Sequence, residues 1–220
     1  MDTAATLTAM HQAMGRHFGP LHWWPGETPF EVMVGAILTQ NTSWKNVEKA
    51  IGNLKAAGVL APHALDALER QALAELIRPA GYYNVKSLRL KAYVRWFVAR
   101  FDGDAAAMAA CDWRGLREEV LSVKGVGRET ADSILLYGCG LPVFVVDKYT
   151  WRILSRHLLI NPEDDYEAIQ QFFRDHLPAE VALYNEYHAQ LVNVGKAFCR
   201  PTARCAGCPL ESFEHRADEV

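Results

Sequence analysis

Only one stretch of this chain reads as a strand, the "PVFVV" of Pro142–Val146, and one isolated strand cannot build a sheet. The rest is punctuated for helices. "TPFE" at Thr28–Glu31 is a capping box with Pro29 at the first helical position. It opens the apolar run "FEVMVGAILTQ". "NTSWKNVEKAIGNLKAAG" reads as a helix ended by Gly58, and "LDALERQALAELIRPAG" as a single helix ended by Gly81. "VKSLRLKAYVRWFVARF" places Leu88, Tyr93, Trp96 and Phe97 on one helical stripe. Further helices are expected at 113–121, 129–138, 148–158, 164–176 and 179–197. The fold class is therefore all-α.

Half of the 220 residues are hydrophobic and 22% are charged, which suits a globular chain of one large domain or two small lobes. No apolar run approaches a membrane span, and the first residues lack a signal-peptide layout, so a cytoplasmic protein is expected. The net charge of -3 is unlike a polycation. The charge is uneven, however: Lys86, Arg89, Lys91, Arg95 and Arg100 fall in a stretch without an acid. Such a stretch is a basic face for nucleic acid or an ordinary solvated helix. Five cysteines, an odd count, argue against a disulfide framework.

The segment "LSVKGVGRETADSILLYGCGLPVFVVDK" carries the chemistry. Lys124, Gly125, Val126 and Gly127 form a turn between two expected helices. Glycines there allow positive φ and let backbone N–H groups meet an anion such as a DNA phosphate. The plainer reading is a tight helix–helix corner. About twenty residues on, Asp147 follows apolar Val145 and Val146. It is read both as a helix cap and as a functional carboxylate.

Residues 122–147 resemble the helix–hairpin–helix motif and downstream aspartate of the endonuclease III superfamily of DNA glycosylases, on "VKGVGRETADSILL…VFVVDKYTWRIL". "PFEVMVGAILTQNTSWKNV", "IRPAGYYNVKSLRLK" and "FCRPTARCAGCPL" resemble its first core helix, its DNA-intercalating loop and its cluster loop. The resemblance implies two helical lobes with a DNA-binding cleft. One is a helical-barrel lobe at 28–141 carrying the hairpin; the other joins 1–27 to 142–220. It implies a monomeric enzyme of base-excision repair, nucleoid-associated, acting on double-stranded DNA with damaged bases.

The resemblance also implies residue roles. Asp147 faces the sugar of an extruded nucleotide. Gln40 fills the space the base leaves, Tyr82 is the wedge, and Lys86 and the hairpin face DNA. Bifunctional members carry a lysine where this chain has Glu129, which cannot form an imine, so water is the expected nucleophile. "WWP…PFEVMVGAILTQNTSW" is similar to the 3-methyladenine DNA glycosylase III branch. There, residues at the places of Trp44 and one of Trp23 and Trp24 hold the alkylated base, although packing is the plainer role for each. Cys199, Cys205 and Cys208 resemble three of four ligands of a [4Fe–4S] cluster, with Glu214 or His215 at the fourth place. Zinc or a degenerate loop is the alternative. An endonuclease III-like lyase for oxidised pyrimidines and a non-catalytic DNA-binding module are the rival functions.

Overall fold

The computed structural model describes residues 2–216. The all-α expectation holds, and no strand occurs among the described residues. No helix among them is long and apolar enough to cross a membrane. The chain divides into two compact units, one formed by Trp24–Leu141 and the other by the residues up to Trp23 together with Pro142 onward.

The Trp24–Leu141 unit holds α2 (Pro29–Leu38), α3 (Trp44–Ala56), α4 (Pro62–Ala67), α5 (Arg70–Leu76), α6 (Tyr83–Phe101), α7 (Ala105–Ala109), α8 (Trp113–Ser122) and α9 (Arg128–Ser133). A π-helical turn, Ile134–Gly138, continues α9. Every residue of α2 from Phe30 to Leu38 is buried, as an all-round apolar helix requires. Thr28 caps it by accepting from the Glu31 N–H at 3.1 Å. The Glu31 carboxylate turns to the Glu27 N–H and to Lys55 Nζ, not to the cap residue.

The single helix expected across "LDALERQALAELIRPAG" is instead α4, α5 and a 3-10 turn at Arg78–Ala80. Leu68 is extended (φ -65, ψ 133), which ends α4. Helix ends leave carbonyls unpaired. Lys91, reaching over from α6, donates to the Leu65, Asp66 and Leu68 carbonyls. The break thus persists because a distant lysine satisfies it, and no local signal records that.

The other unit holds α1 (Thr3–Phe18), α10 (Lys148–Arg156), α11 (Tyr166–His176) and α12 (Val181–Ala197). "PVFVV" forms no ladder. Val143, Phe144, Val145 and Val146 are buried, and the Phe144 ring stacks on Phe173 at 3.7 Å. Buried backbone must still be paired. Here side chains do it: Gln170 Nε2 donates to the Phe144 carbonyl at 2.7 Å, and the Val146 N–H donates to the Tyr166 hydroxyl at 3.3 Å. α10 and α12 pack closely, since a Cβ on Gly195 would lie 2.6 Å from Tyr149 Cγ.

Candidate active site

Asp147 ends the buried valine run and caps α10. One oxygen, Oδ1, accepts from the Tyr149 N–H at 2.9 Å, the Thr150 N–H at 2.8 Å and the Thr150 hydroxyl at 3.0 Å. The other, Oδ2, lies 3.8 Å from His188 Nε2 on α12. Both side chains are more than nine-tenths buried. Burial pushes the His188 pKa down; the Asp147 carboxylate opposes that shift and Lys196 adds to it. The imidazole beside the carboxylate is therefore neutral near pH 7. His188 lies forty-one residues from Asp147 in sequence, so no motif spacing points to it.

In the hairpin, Gly125 has φ 93, whereas Gly127 is extended (φ -96, ψ 175). Positive φ is thus used once in the turn. A Cβ on Gly127 would meet nothing within 4 Å, leaving the approach to its backbone open. Lys124 and Glu129 are exposed. Val126 was expected to face DNA, but its side chain is buried and its N–H donates to the Val123 carbonyl at 3.0 Å. It closes the turn and offers no donor to a phosphate. Asp132, fully buried, receives the Arg117 guanidinium at 2.6 and 3.1 Å, which clamps α9 to α8.

Gln40 follows α2. Its Nε2 donates to Thr130 Oγ1 at 3.0 Å and its Oε1 accepts from Arg89 Nη1. Tyr82 is 74% exposed at φ 45, a left-handed conformation uncommon outside glycine. It stands out from the unit just before α6. Lys86 corrects its expected role. Its ammonium is buried and donates to the Leu38 and Ala80 carbonyls at 2.8 and 2.7 Å; burial, with the Arg89 charge nearby, lowers its pKa to about 8. It ties α2 to the 3-10 turn and presents no charge outward. The rest of the basic stretch divides: Arg89 and Lys91 bond within the unit, whereas Arg95 and Arg100 stay exposed beside surface carboxylates. Arg95 lies 3.8 Å from Asp66 and Arg100 donates to Glu119 at 3.0 Å.

Trp24 and Trp44 meet edge to face at 5.2 Å, and Trp24 also packs on Tyr137 at 5.2 Å. A Cβ on Gly35 would lie 3.2 Å from Trp24 Nε1, so the indole rests directly on α2. Tyr137 escaped the sequence reading; it rides on the π-helical turn, a feature frequent at functional sites. Trp23 belongs to the other unit, where Lys196 Nζ lies 5.6 Å above its ring.

Cys199, Cys205 and Cys208 are free thiols lining one pocket with Arg156, His157 and His215. Burial is the main cause that raises the Cys208 thiol, and the other two cysteines add to it. Arg156 Nη1 lies 3.3 Å from Cys199 Sγ. No three His, Cys, Asp or Glu side chains among the described residues are grouped to hold a single metal ion. Thiols are the donor type a [4Fe–4S] cluster takes, and this pocket supplies three of the four. Of the two fourth candidates, His215 lines the pocket. Glu214 is exposed, and its carbonyl accepts from His157 Nδ1 at 2.9 Å.

These features define a class: an all-helical protein with a glycine hairpin and a buried carboxylate at a later helix N-terminus. The family model for "HhH-GPD superfamily base excision DNA repair protein" matches residues 34–179, and the chain belongs to that family. It is a DNA N-glycosylase. It is 48% identical over 199 residues to the Methanocaldococcus jannaschii protein named "Putative DNA repair glycosylase MJ1434", covering 90% of each chain. It is 29% identical to Thermotoga maritima endonuclease III, over 84% of this chain and 81% of that one. The crystal structure of Helicobacter pylori 3-methyladenine DNA glycosylase bound to 1,N6-ethenoadenine is similar at a TM-score of 0.77. Its sequence is 31% identical, with 89% of this chain and 98% of that one covered. A non-covalent endonuclease III–DNA complex shares the fold at a TM-score of 0.80 and 20% identity, over 97% of this chain and 95% of that one.

Proposed function

We propose that the chain is a monofunctional glycosylase that releases alkylated purines, 3-methyladenine among them, from double-stranded DNA. The observation that carries the reading is the division of labour at Asp147: Oδ1 is occupied by the helix cap, and Oδ2 is not part of it. As the C1′–N bond breaks, its electron pair leaves with the base and positive charge develops on the sugar. Oδ2 stabilises that charge in a poorly solvated setting. Water adds to C1′ and loses its proton through the carboxylate, leaving an abasic site.

The choice of base rests on the indoles and on similarity to the Helicobacter pylori enzyme. A methylated purine is cationic, and its attraction to an aromatic face adds to ordinary stacking. Trp44 and either Trp24 or Trp23 take the base, with Tyr137 behind Trp24. Gln40 fills the vacated space and Tyr82 wedges the stack. Gly125, Gly127 and Lys124 approach the backbone. Monomeric action and a nucleoid-associated, cytoplasmic location complete the proposal.

Cys199, Cys205 and Cys208, with His215, would hold a [4Fe–4S] cluster, which when bound cross-links the loop after α12. Arg156 would balance its negative charge.

Glu129 supports water as nucleophile, because a carboxylate cannot form a Schiff base. A panel of lesion duplexes scored for base release, with and without alkali, tests the whole reading. Release of methylated purines with strand breakage only after alkali is expected. Release of oxidised pyrimidines with borohydride trapping would favour an endonuclease III-like lyase. No release from any duplex would favour a DNA-binding module.

A further inference from the structure

Arg89 touches three parts of its unit at once. It lies on the second turn of α6, the helix that Tyr82 precedes. Its stem covers the hairpin: a Cβ on Gly125 would run into Arg89 Cγ and lie 3.0 Å from Cδ. Its Nη1 donates to Gln40 Oε1, while Gln40 Nε2 donates to Thr130 Oγ1 at 3.0 Å. Thr130 belongs to α9, directly beyond the hairpin.

The chemistry of this chain of contacts is one-sided. A guanidinium has only donors, so the group facing it must be the amide oxygen. The Gln40 amide is therefore held in one of its two flips. One lone pair on Oε1 and one N–H on Nε2 remain for an outside partner, in a fixed order. A free glutamine would sample both flips and several rotamers, and ordering it would cost entropy during base extrusion. The same contacts reassign Gly125. Its lack of a side chain makes a seat for Arg89, in addition to permitting φ 93.

We infer that Arg89 is a positioning residue. It orients the Gln40 amide toward the base left unpaired by extrusion and couples that contact to the hairpin through its seat on Gly125. The inference rests on the proposed role of Gln40. It also separates Arg89 from its plainest alternative, a phosphate contact. Phosphate contacts weaken all duplexes alike and contribute about one to the salt slope. A positioning residue does neither.

The test compares Arg89→Met, which keeps the stem over Gly125 but cannot donate, with Arg89→Lys, Gln40→Ala and the Arg89→Met/Gln40→Ala double variant. Base release from a methylated duplex is measured beside affinity for undamaged duplex at several salt concentrations, and each variant is melted to check its fold. Arg89→Met and Gln40→Ala should each slow release by about tenfold, and the double variant should be no slower than the slower single, since coupled residues are not additive. Arg89→Lys keeps a donor and most of the stem, so it should fold and recover most of the rate. Undamaged-duplex affinity and salt slope should stay at the parent values. If Gln40→Ala releases base at the parent rate, the role of Gln40 itself fails. If Gln40→Ala is slow while Arg89→Met is not, or if the two losses add, Arg89 does not act through Gln40. A lower salt slope in Arg89→Met would make it a phosphate contact and overturn the inference.

Discussion

The Asp147 carboxylate gives its two oxygens different work: Oδ1 accepts three hydrogen bonds at the start of α10, while Oδ2 faces His188 Nε2 at 3.8 Å. A cap and a reactive group usually compete as explanations of one aspartate. Here each takes its own atom, and the charge can be removed while the cap stays.

Asp147→Asn keeps an oxygen for the cap and removes the charge. Base release should fall by about 10²–10⁴, with little change in melting temperature. Asp147→Ala should lose the same activity and also the cap, a further cost of about 1 kcal/mol in stability. Chemical denaturation alongside single-turnover kinetics reads both. Equal stability of the two variants would remove the cap, and full activity of Asp147→Asn would remove the chemistry.

His188 predicts an acid limit. Its folded pKa is depressed by burial against an unfolded value near 6.5. Above about pH 6.5 both states are neutral at this site and stability is unaffected. As pH falls below it, the unfolded chain takes up a proton that the native state refuses, so stability declines. His188→Gln should flatten that part of the stability–pH curve. An unchanged curve would assign the acid sensitivity to other groups.

Asp132 is fully buried and bonded to Arg117 by two hydrogen bonds. Asp132→Ala takes two hydrogen bonds and the opposite charge from the mostly buried Arg117 guanidinium inside the helix–hairpin–helix. The expected loss is about 3–5 kcal/mol in denaturant unfolding. Replacing both residues with apolar side chains should recover much of it. A loss below about 1 kcal/mol for Asp132→Ala would show that the pair is screened like a surface bridge.

The cysteine pocket predicts colour. Protein purified without oxygen should be yellow-brown and contain iron, and Cys205→Ser should bleach it. Colourless, iron-free protein would leave the three thiols as a degenerate loop, with Arg156 paired to Cys199 as its resting contact.

What was legible in the sequence was local. Thr28, Pro29 and Gly58 mark helix ends because caps and turns depend on neighbours along the chain. The hairpin and its acid carry a spacing that the family fixes. What was not legible came from across the fold. Nothing near Leu68 says that Lys91 will satisfy the end of α4, and nothing near Asp147 names His188. Lys86 shows the limit most directly. Among five basic residues it reads as a DNA contact, yet the Leu38 carbonyl, distant in sequence, and the Ala80 carbonyl of the nearby 3-10 turn draw it inside. Val126 fails for the opposite reason: the turn is so tight that its own N–H closes it.

The internal use of Lys86 and Lys91 has a consequence for handling, because it leaves the outward charge of the helix to Arg95 and Arg100, whose side chains stay 72% and 50% exposed. A cation engaged by buried carbonyls releases no counterion from a polyanion, whereas an exposed arginine beside a surface carboxylate still can. On a heparin column, replacing Lys86 should therefore change retention little, and replacing Arg95 together with Arg100 should shorten it.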